Sequence, residues 1–354
     1  MRFCREYYGI ISALVQTARA WKSPTYEQLR SNVVKKTLTV PNTFTEAAIE
    51  FAIDQQMDGV TEAALSDWIG HRRIKGRCRV GVINAGNVPL VGLQDLLAVL
   101  VCGHSYVGVL SSKSPHLLPA FVNTLLDQGA DIDAEFVDQD EMWGKADAVI
   151  ATGSNEAIAQ IKVLASRQGL APDKCLFRGN RYGIAILNGL ESENDLDGLA
   201  LDVLLHEGMG CRNVALIMVP AGLEPDDCLK HFAEMRGVFP AHPSTSGRLS
   251  MQQAFLAATG QPHAYGDGLE FLLSKGAPEL QAPGHVRWVE YRDQDEMVRV
   301  IEALRYEIQC IVAHSELREQ LPSSWDVGSF GSTQTPTLAW RPDKRDTIEF
   351  LCGL

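Results

Sequence analysis

Eight cysteines, at positions 4, 78, 102, 175, 211, 228, 310 and 352, are scattered through this chain, and Cys211 lies where a nucleophile could work. It sits in the run from His206 to Pro220, HEGMGCRNVALIMVP. Gly208 and Gly210 leave little side-chain bulk near the sulfur, so a carbonyl carbon could approach it. The neighbouring charge of Arg212 favours the thiolate. The helical segment before the loop works the other way, because it presents its negative end to the cysteine. Free cysteines also serve as small core hydrophobes, and the local pattern leaves both readings open. His206, five positions upstream, could act as a base, although a helix-end histidine bonded to a backbone carbonyl is the plainer reading.

Around the loop, Leu196, Leu199, Ala200, Val203 and Leu204 recur at helix spacing, and residues 214–219 read as a buried strand. Upstream, strand and helix alternate. Strands are expected over residues 80–83, 106–110, 135–137 and 148–151, and helices over 90–101, 117–126 and from about 155. This spacing predicts an α/β fold with a parallel, doubly wound sheet, whose ligand edge is at the carboxyl ends of the strands. Those ends carry Asn84 to Asn87, Ser111 to Lys113, and Thr152-Gly153-Ser154. The last triplet runs into a helix, where backbone N–H groups suit a phosphate. No GxGxxG is present, and such residues also make ordinary βα turns, so nucleotide binding is one of two readings. From residue 189 to about 321 a second α/β unit follows, with helices over 226–235 and 295–305 and strands over 286–291 and 308–313. Residues 1 to about 75 read as mainly helical and polar, with helices expected over 45–57 and 61–69.

The 354 residues allow two domains. Hydrophobic residues at 45% and charged residues at 21% describe an ordinary globular protein. The net charge of −12 argues against nucleic acid or an anionic membrane as partner. No CxxC pair suggests a metal site, and reduced thiols in a cytoplasm are expected. No apolar run approaches the roughly 18–20 residues that insertion into a bilayer needs.

Six phrases in order are similar to the aldehyde dehydrogenase superfamily: NAGNVPLVG from Asn84, VLSSKSP from Val109, ATGSN from Ala151, RGNRYGIAIL from Arg178, GMGCRNV from Gly208 and FGSTQTP from Phe330. More closely, the chain resembles the acyl-CoA reductase branch typified by the fatty-acid reductase of bacterial bioluminescence, the LuxC family. The resemblance runs from about residue 80 to the C-terminus. It implies an aldehyde dehydrogenase-like fold: a cofactor-binding domain with a helical N-terminal part (1–188), a catalytic domain carrying the cysteine (189–321) and a closing segment (322–354).

By the same resemblance Cys211 is the catalytic cysteine, and Asn87 supplies a side-chain amide that holds the oxyanion with the cysteine's N–H. Preorganised donors of this kind are often the largest catalytic contribution. Ser111 and Ser112 fall on the segment facing the cofactor ribose and phosphate, and Thr152, Gly153 and Ser154 on the helix start beside the pyrophosphate. NADPH is the cofactor the family implies. No residue is identified that reads its 2′-phosphate, and no metal is expected. Two departures matter. Hydrolytic members carry a general base in a Glu-Leu-Gly-Gly phrase, where this chain has Phe177-Arg178-Gly179-Asn180. Without that base an acyl-enzyme should hydrolyse poorly, which favours reduction of an acyl thioester over oxidation of an aldehyde. Val109 replaces a lysine that contacts the cofactor ribose, with Lys113 nearby in sequence.

The expected activity is therefore reduction of an acyl-CoA or another acyl thioester to an aldehyde. The chain is expected to form a homo-oligomer, with an acyl-activating enzyme as a further partner. An oxidising aldehyde dehydrogenase, a reductase of another activated acyl donor and a non-catalytic binding relative are the alternatives. His285 and Glu290 are expected to be structural or solvated. The acidic groups at 138–141 and 191–197 should lie in loops and helix N-termini.

Overall fold

The computed structural model describes residues 3–354, with side chains from residue 9 onward. The chain divides into two compact units. The first comprises the residues up to Asn42, Ile49–Asn180 and Thr337–Leu354, and the second Thr43–Ala48 and Arg181–Pro336.

The first unit is built on strands β1 (Arg79–Ile83), β2 (Ser105–Val109), β3 (Ala134–Phe136), β4 (Ala148–Thr152) and β5 (Cys175–Arg178). They pair in parallel in the order β3-β2-β1-β4-β5. Val80, Val107, Val149 and Ile150 are fully or nearly fully buried. Such continuous apolar strands are what a parallel sheet covered by helices requires. The strand order reverses between β1 and β4, so the ligand crevice expected of a doubly wound sheet lies between their carboxyl ends. The helix after β1 begins at Leu93 rather than residue 90, because Leu90 takes φ 55° and closes a turn, its carbonyl accepting from Leu93 N at 2.9 Å.

The N-terminal helices are more than a polar arm. Leu14, Ala18 and Trp21 of the helix Phe3–Lys22 are buried, and the Trp21 indole donates to Thr124 Oγ1 at 3.0 Å on the helix Leu117–Asp127.

The second unit contains β6 (Tyr182–Ile186), β7 (Val214–Pro220), β8 (His263–Tyr265), β9 (Leu272–Lys275), β10 (His285–Tyr291), β11 (Ile308–Ala313) and β12 (Val327–Gly328). Their order is β12-β11-β6-β7-β10-β9-β8, and only β8 runs antiparallel to its neighbour. One face packs Leu199, Val203 and Phe232 against Ile217 and Trp288. The other packs Met297 and Ile301 against Ile184, Leu216 and Met218.

Compact division falls at Asn180/Arg181 and not after residue 188, because β6 is hydrogen-bonded to β7 and β11. The segment expected as one closing piece, 322–354, is shared, residues to Pro336 going to the second unit and the rest to the first. Among the described residues no helix is long and apolar enough to cross a membrane.

Candidate active site

In the first unit, parallel pairing brings the ends of β1, β2 and β4 to one edge. Asn84 there is a structural knot. It is 8% exposed, and its Nδ2 donates to the Tyr106 hydroxyl at 3.0 Å and to the carbonyls of Val109 and Val82 at 3.1 and 3.2 Å. Its amide donors are thus spent inside the fold. Asn87 lies in the following bend, half-buried. Ser111, Ser112 and Lys113 follow β2, and a Cβ on Gly86 would lie 2.0 Å from Ser111 Oγ, so only glycine lets these two loops meet. Thr152 ends β4, Gly153 follows it, and Ser154 caps the helix Asn155–Arg167, its Oγ accepting from Ala157 N at 3.1 Å.

One feature of this edge suits a dinucleotide, the helix N-terminus at the β4 end. One feature opposes it. The carboxylate of Glu156, in the first turn of that helix, is held below its usual pKa by hydrogen bonds from its own backbone N–H and the Ser154 hydroxyl. It takes up a backbone N–H at the helix start, where an anion would otherwise be favoured. Glu156 is exposed and free to turn outward.

In the second unit the helix Glu193–Leu204 starts in a capping box, Ser192 with Asp195, and ends directly before the cysteine loop. Leu205 leaves it extended (φ −58°, ψ 145°), and three left-handed residues follow: His206 (φ 55°), Glu207 (φ 58°) and Gly208 (φ 67°). For the two with side chains this conformation costs roughly 1–2 kcal/mol each. At Gly208 a Cβ would lie 2.7 Å from Gly284 N, so glycine is required there for space as well.

Cys211, half-buried, is tied on both sides. Before it, Gly210 N donates to Asn213 Oδ1 at 2.8 Å, and Asn213 N donates back to Gly210 O at 3.0 Å. After it, Arg212 Nε donates to Thr333 O at 2.6 Å. Asn213 Nδ2 meanwhile donates to the carbonyls of Asp202, Val203 and Leu205 at 3.0, 3.2 and 2.8 Å. Those are carbonyls of the helix end whose negative pole counted against a thiolate, and the amide blunts it.

Asp202 closes the circuit. Its carboxylate accepts from Thr333 Oγ1 at 2.6 Å, Thr333 N at 3.0 Å and Gly331 N at 2.7 Å. Burial nevertheless pushes its pKa up to about 6, with those bonds opposing. Gln334, in the phrase FGSTQTP, donates to Thr333 Oγ1 at 3.0 Å and reaches Asp202 O at 3.4 Å. Its role is therefore to fasten this segment to the helix before the cysteine. Burial lowers the pKa of Arg212, while Cys211 and Cys310 raise it, which places the guanidinium within electrostatic reach of both thiols.

His206 does not suit a base. Burial first, and the Arg212 charge second, depress it to about 3, so the ring is neutral and a poor proton acceptor. Its Nδ1 is buried with no hydrogen-bond partner, so the carbonyl bond expected for a helix-end histidine is not made through that nitrogen. His285 is structural, bonded to Ser274 Oγ and Gln252 Oε1 at 2.7 Å each. Glu290 lies 3.6 Å from Lys275 Nζ at the surface. Asp138 caps its helix, and the 191–197 group supplies loop and N-terminal acceptors.

At Phe177-Arg178-Gly179-Asn180, Phe177 joins the core of the first unit. Arg178 is 3% exposed, with both oxygens of Asp95 at 2.8 Å from Nη1 and Thr347 Oγ1 at 2.7 Å from Nη2. A carboxylate remote in sequence does reach this segment, Asp343 Oδ2 accepting from Gly179 N at 3.1 Å. Asp343, Asp202 and Glu207 escape a reading of the sequence because their partners lie far along the chain, whereas Asn213 bonds to groups within eleven residues of it. The only local signal is an asparagine two residues after the cysteine.

No protein-family profile matches the sequence, and no curated protein is similar to it by sequence. Solved structures are. An NAD-dependent benzaldehyde dehydrogenase from Corynebacterium glutamicum matches with TM-score 0.68 and 14% identity, covering 90% of this chain and 79% of the other. A salicylaldehyde dehydrogenase from Pseudomonas putida G7, complexed with salicylaldehyde, gives 0.67 and 12%, with 92% and 78% covered. A mutant of aldehyde dehydrogenase C from Pseudomonas syringae, complexed with NAD+ and octanal, gives 0.66 and 12%, with 89% and 73% covered. The fold is that of the aldehyde dehydrogenases.

Proposed function

We propose that this chain is an NADPH-dependent acyl-CoA reductase of the LuxC type, converting a fatty acyl thioester into an aldehyde through an acyl-cysteine at Cys211. The observation that carries the reading is the cysteine loop. On an aldehyde dehydrogenase fold, Cys211 stands between two tethered neighbours, beside a guanidinium, with the opposing helix end neutralised by Asn213. A loop so constrained, and strained at two residues, is costly for a cysteine that only fills space.

In the first half-reaction the Cys211 thiolate attacks the thioester carbonyl, a C–S bond forms, and CoA leaves as its thiolate with the thioester's electron pair. Asn87 is assigned the oxyanion by family resemblance. Dividing the reaction at a covalent intermediate replaces one hard step by two easier ones and gives ping-pong kinetics. Bound NADPH supplies the hydride that takes the acyl group to the aldehyde level. Thr152, Gly153 and Ser154 would hold the pyrophosphate, and Ser111, Ser112 and Lys113 the ribose end. That loop offers hydroxyls and an ammonium and no carboxylate, which suits a 2′-phosphate. Acyl groups would be supplied by an acyl-activating enzyme, and a homo-oligomer is expected.

Mass spectrometry of the intact protein after incubation with acyl-CoAs of several lengths tests the reading. An adduct on Cys211, discharged as aldehyde by NADPH, is expected. Absence of an adduct at every chain length defeats it.

Aldehyde oxidation is the second reading, favoured by the Asp343 carboxylate at Gly179 and by neighbours that are aldehyde dehydrogenases. Release of free acid from an aldehyde and oxidised cofactor would establish it.

A further inference from the structure

The left-handed run His206–Glu207–Gly208 needs a holder, and the holder sits around Glu207. Its carboxylate, 3% exposed, lies 3.0 Å from Arg236 Nη1 and 4.0 Å from Arg248 Nη2, and it accepts the Thr245 hydroxyl. Arg236 comes from the helix Asp226–Val238, and Thr245 and Arg248 from the helix Ser244–Thr259. Arg248 Nε also donates to Pro283 O at 3.3 Å, beside the Gly284 backbone against which Gly208 rests. Three side chains from two helices therefore converge on one residue, four positions before the cysteine. A buried ion pair is a poor way to gain stability, since apolar side chains of similar volume do as well or better. Its distinguishing property is direction: it fixes one backbone position against two helices.

We propose that Glu207 is a positioning residue for Cys211: held by Arg236, Thr245 and Arg248, it keeps the 206–208 run left-handed and so sets where the thiol points relative to Arg212. This rests on Cys211 being the nucleophile of the proposed function, but it concerns the thiol and not the acyl donor. Without the anchor the run is free to relax toward the right-handed region that non-glycine residues prefer. The next residues then move, and the thiol loses its place beside the guanidinium.

Glu207→Ala alone leaves two guanidinium groups facing a gap and can unfold the chain. The primary variant is therefore Glu207→Met combined with Arg236→Met, which replaces the pair by apolar side chains of similar reach. Glu207→Gln, nearly isosteric, keeps an acceptor for Thr245 and Arg236 and serves as the conservative variant. The first readout needs no acyl donor: the pH profile of iodoacetamide alkylation at Cys211 in the full chain, followed by peptide mass spectrometry. The second is the rate of acyl-enzyme formation from an acyl-CoA.

The expected result is a double variant with a cooperative melt, an alkylation midpoint raised by about one pH unit, and acylation slowed at least about tenfold. Glu207→Gln should shift both in the same direction by less. A folded double variant with the wild-type alkylation profile overturns the proposal, and if that variant does not fold, an unchanged profile in Glu207→Gln does so. A wild-type protein that takes no acyl group, while the alkylation midpoint still shifts in the variants, sinks the reductase reading and leaves the positioning role standing.

Discussion

At the scale of single residues, the difference between a reactive and a structural cysteine lies in what each thiol does for the fold. Cys211 sits on a loop whose geometry is fixed by Gly210, Arg212 and Asn213, so Cys211→Ala should abolish adduct formation and leave the melting temperature within a few degrees of wild type. Cys310, on β11, has its thiol pKa pushed up by burial and donates to Arg212 O at 3.5 Å. Cys310→Ala should therefore lower stability by about 1–2 kcal/mol, read from a denaturant curve. Full reductase activity in Cys211→Ala would end the proposed mechanism. The lifetime of an acyl-enzyme depends on whether a base lies beside the water that would cleave it. With acyl-CoA present and NADPH absent the acyl-enzyme should persist, because a thioester hydrolyses slowly without a base beside the water. Asp343→Asn should not change that lifetime, since Asp343 is engaged as acceptor for Gly179 N–H. A short lifetime that Asp343→Asn lengthens at least about tenfold would identify Asp343 as a base and favour oxidation. The sequence displays Cys211 through its flanking glycines. It hides Glu207, Asp202 and Asp343, whose partners are 29 residues or more away along the chain.

Elements with strong period were legible, and those without it were not. The strands β1, β2, β4 and β7 stand within one or two residues of where unbroken apolar runs put them, and helices over 226–238 and 294–304 follow their amphipathic spacing. The helix Ser244–Thr259 is invisible for a physical reason. Its first turns carry Ser, Thr and Gly, and Met251 and Phe255 stand exposed while Leu249 and Leu256 are buried, so no apolar stripe forms. β6 lies inside a phrase that the family resemblance picks out, but its five residues are too short for period to separate strand from helix. The fold was therefore legible in its cofactor-type sheet and in the strand after the cysteine, and less so along the β8–β9 edge. An element-scale prediction follows from the helix Asn155–Arg167. If a pyrophosphate uses its N-terminus, Glu156 competes for the same N–H groups. Glu156→Gln should then tighten NADPH binding by about two- to fivefold, the range expected for one charge at a helix terminus. Nicotinamide fluorescence titration measures it. Unchanged or weaker binding would place the phosphates elsewhere.

Across the whole molecule, the buried titratable groups predict how stability responds to acid. His206 and His285 are depressed from 6.5 to about 3 and about 4, each chiefly by burial. Once pH falls below about 6.5 the unfolded chain takes up protons that these folded histidines refuse, so stability drains away between that pH and their folded values. Asp202 acts in the opposite sense. Its pKa is raised from 3.8 to about 6, so between those values the folded chain holds the extra proton and gains stability as pH falls. Burial lowers His104 as well, so three histidines outweigh one aspartate, and the net change from pH 7 to pH 4.5 should be a loss of at least about 2 kcal/mol. Urea midpoints at the two pH values test this, with a lower midpoint at pH 4.5 expected. Asp202→Asn removes the compensating group and should steepen the acid loss, although it also turns a donor toward Gly331 N and so lowers stability at every pH. A midpoint that rises on acidification would mean that His206 or His285 is charged in the folded chain. Where the charged group is His206, the Cys211 loop would carry a second positive charge beside Arg212, and the electrostatics proposed for Cys211 would have to be rebuilt around that charge.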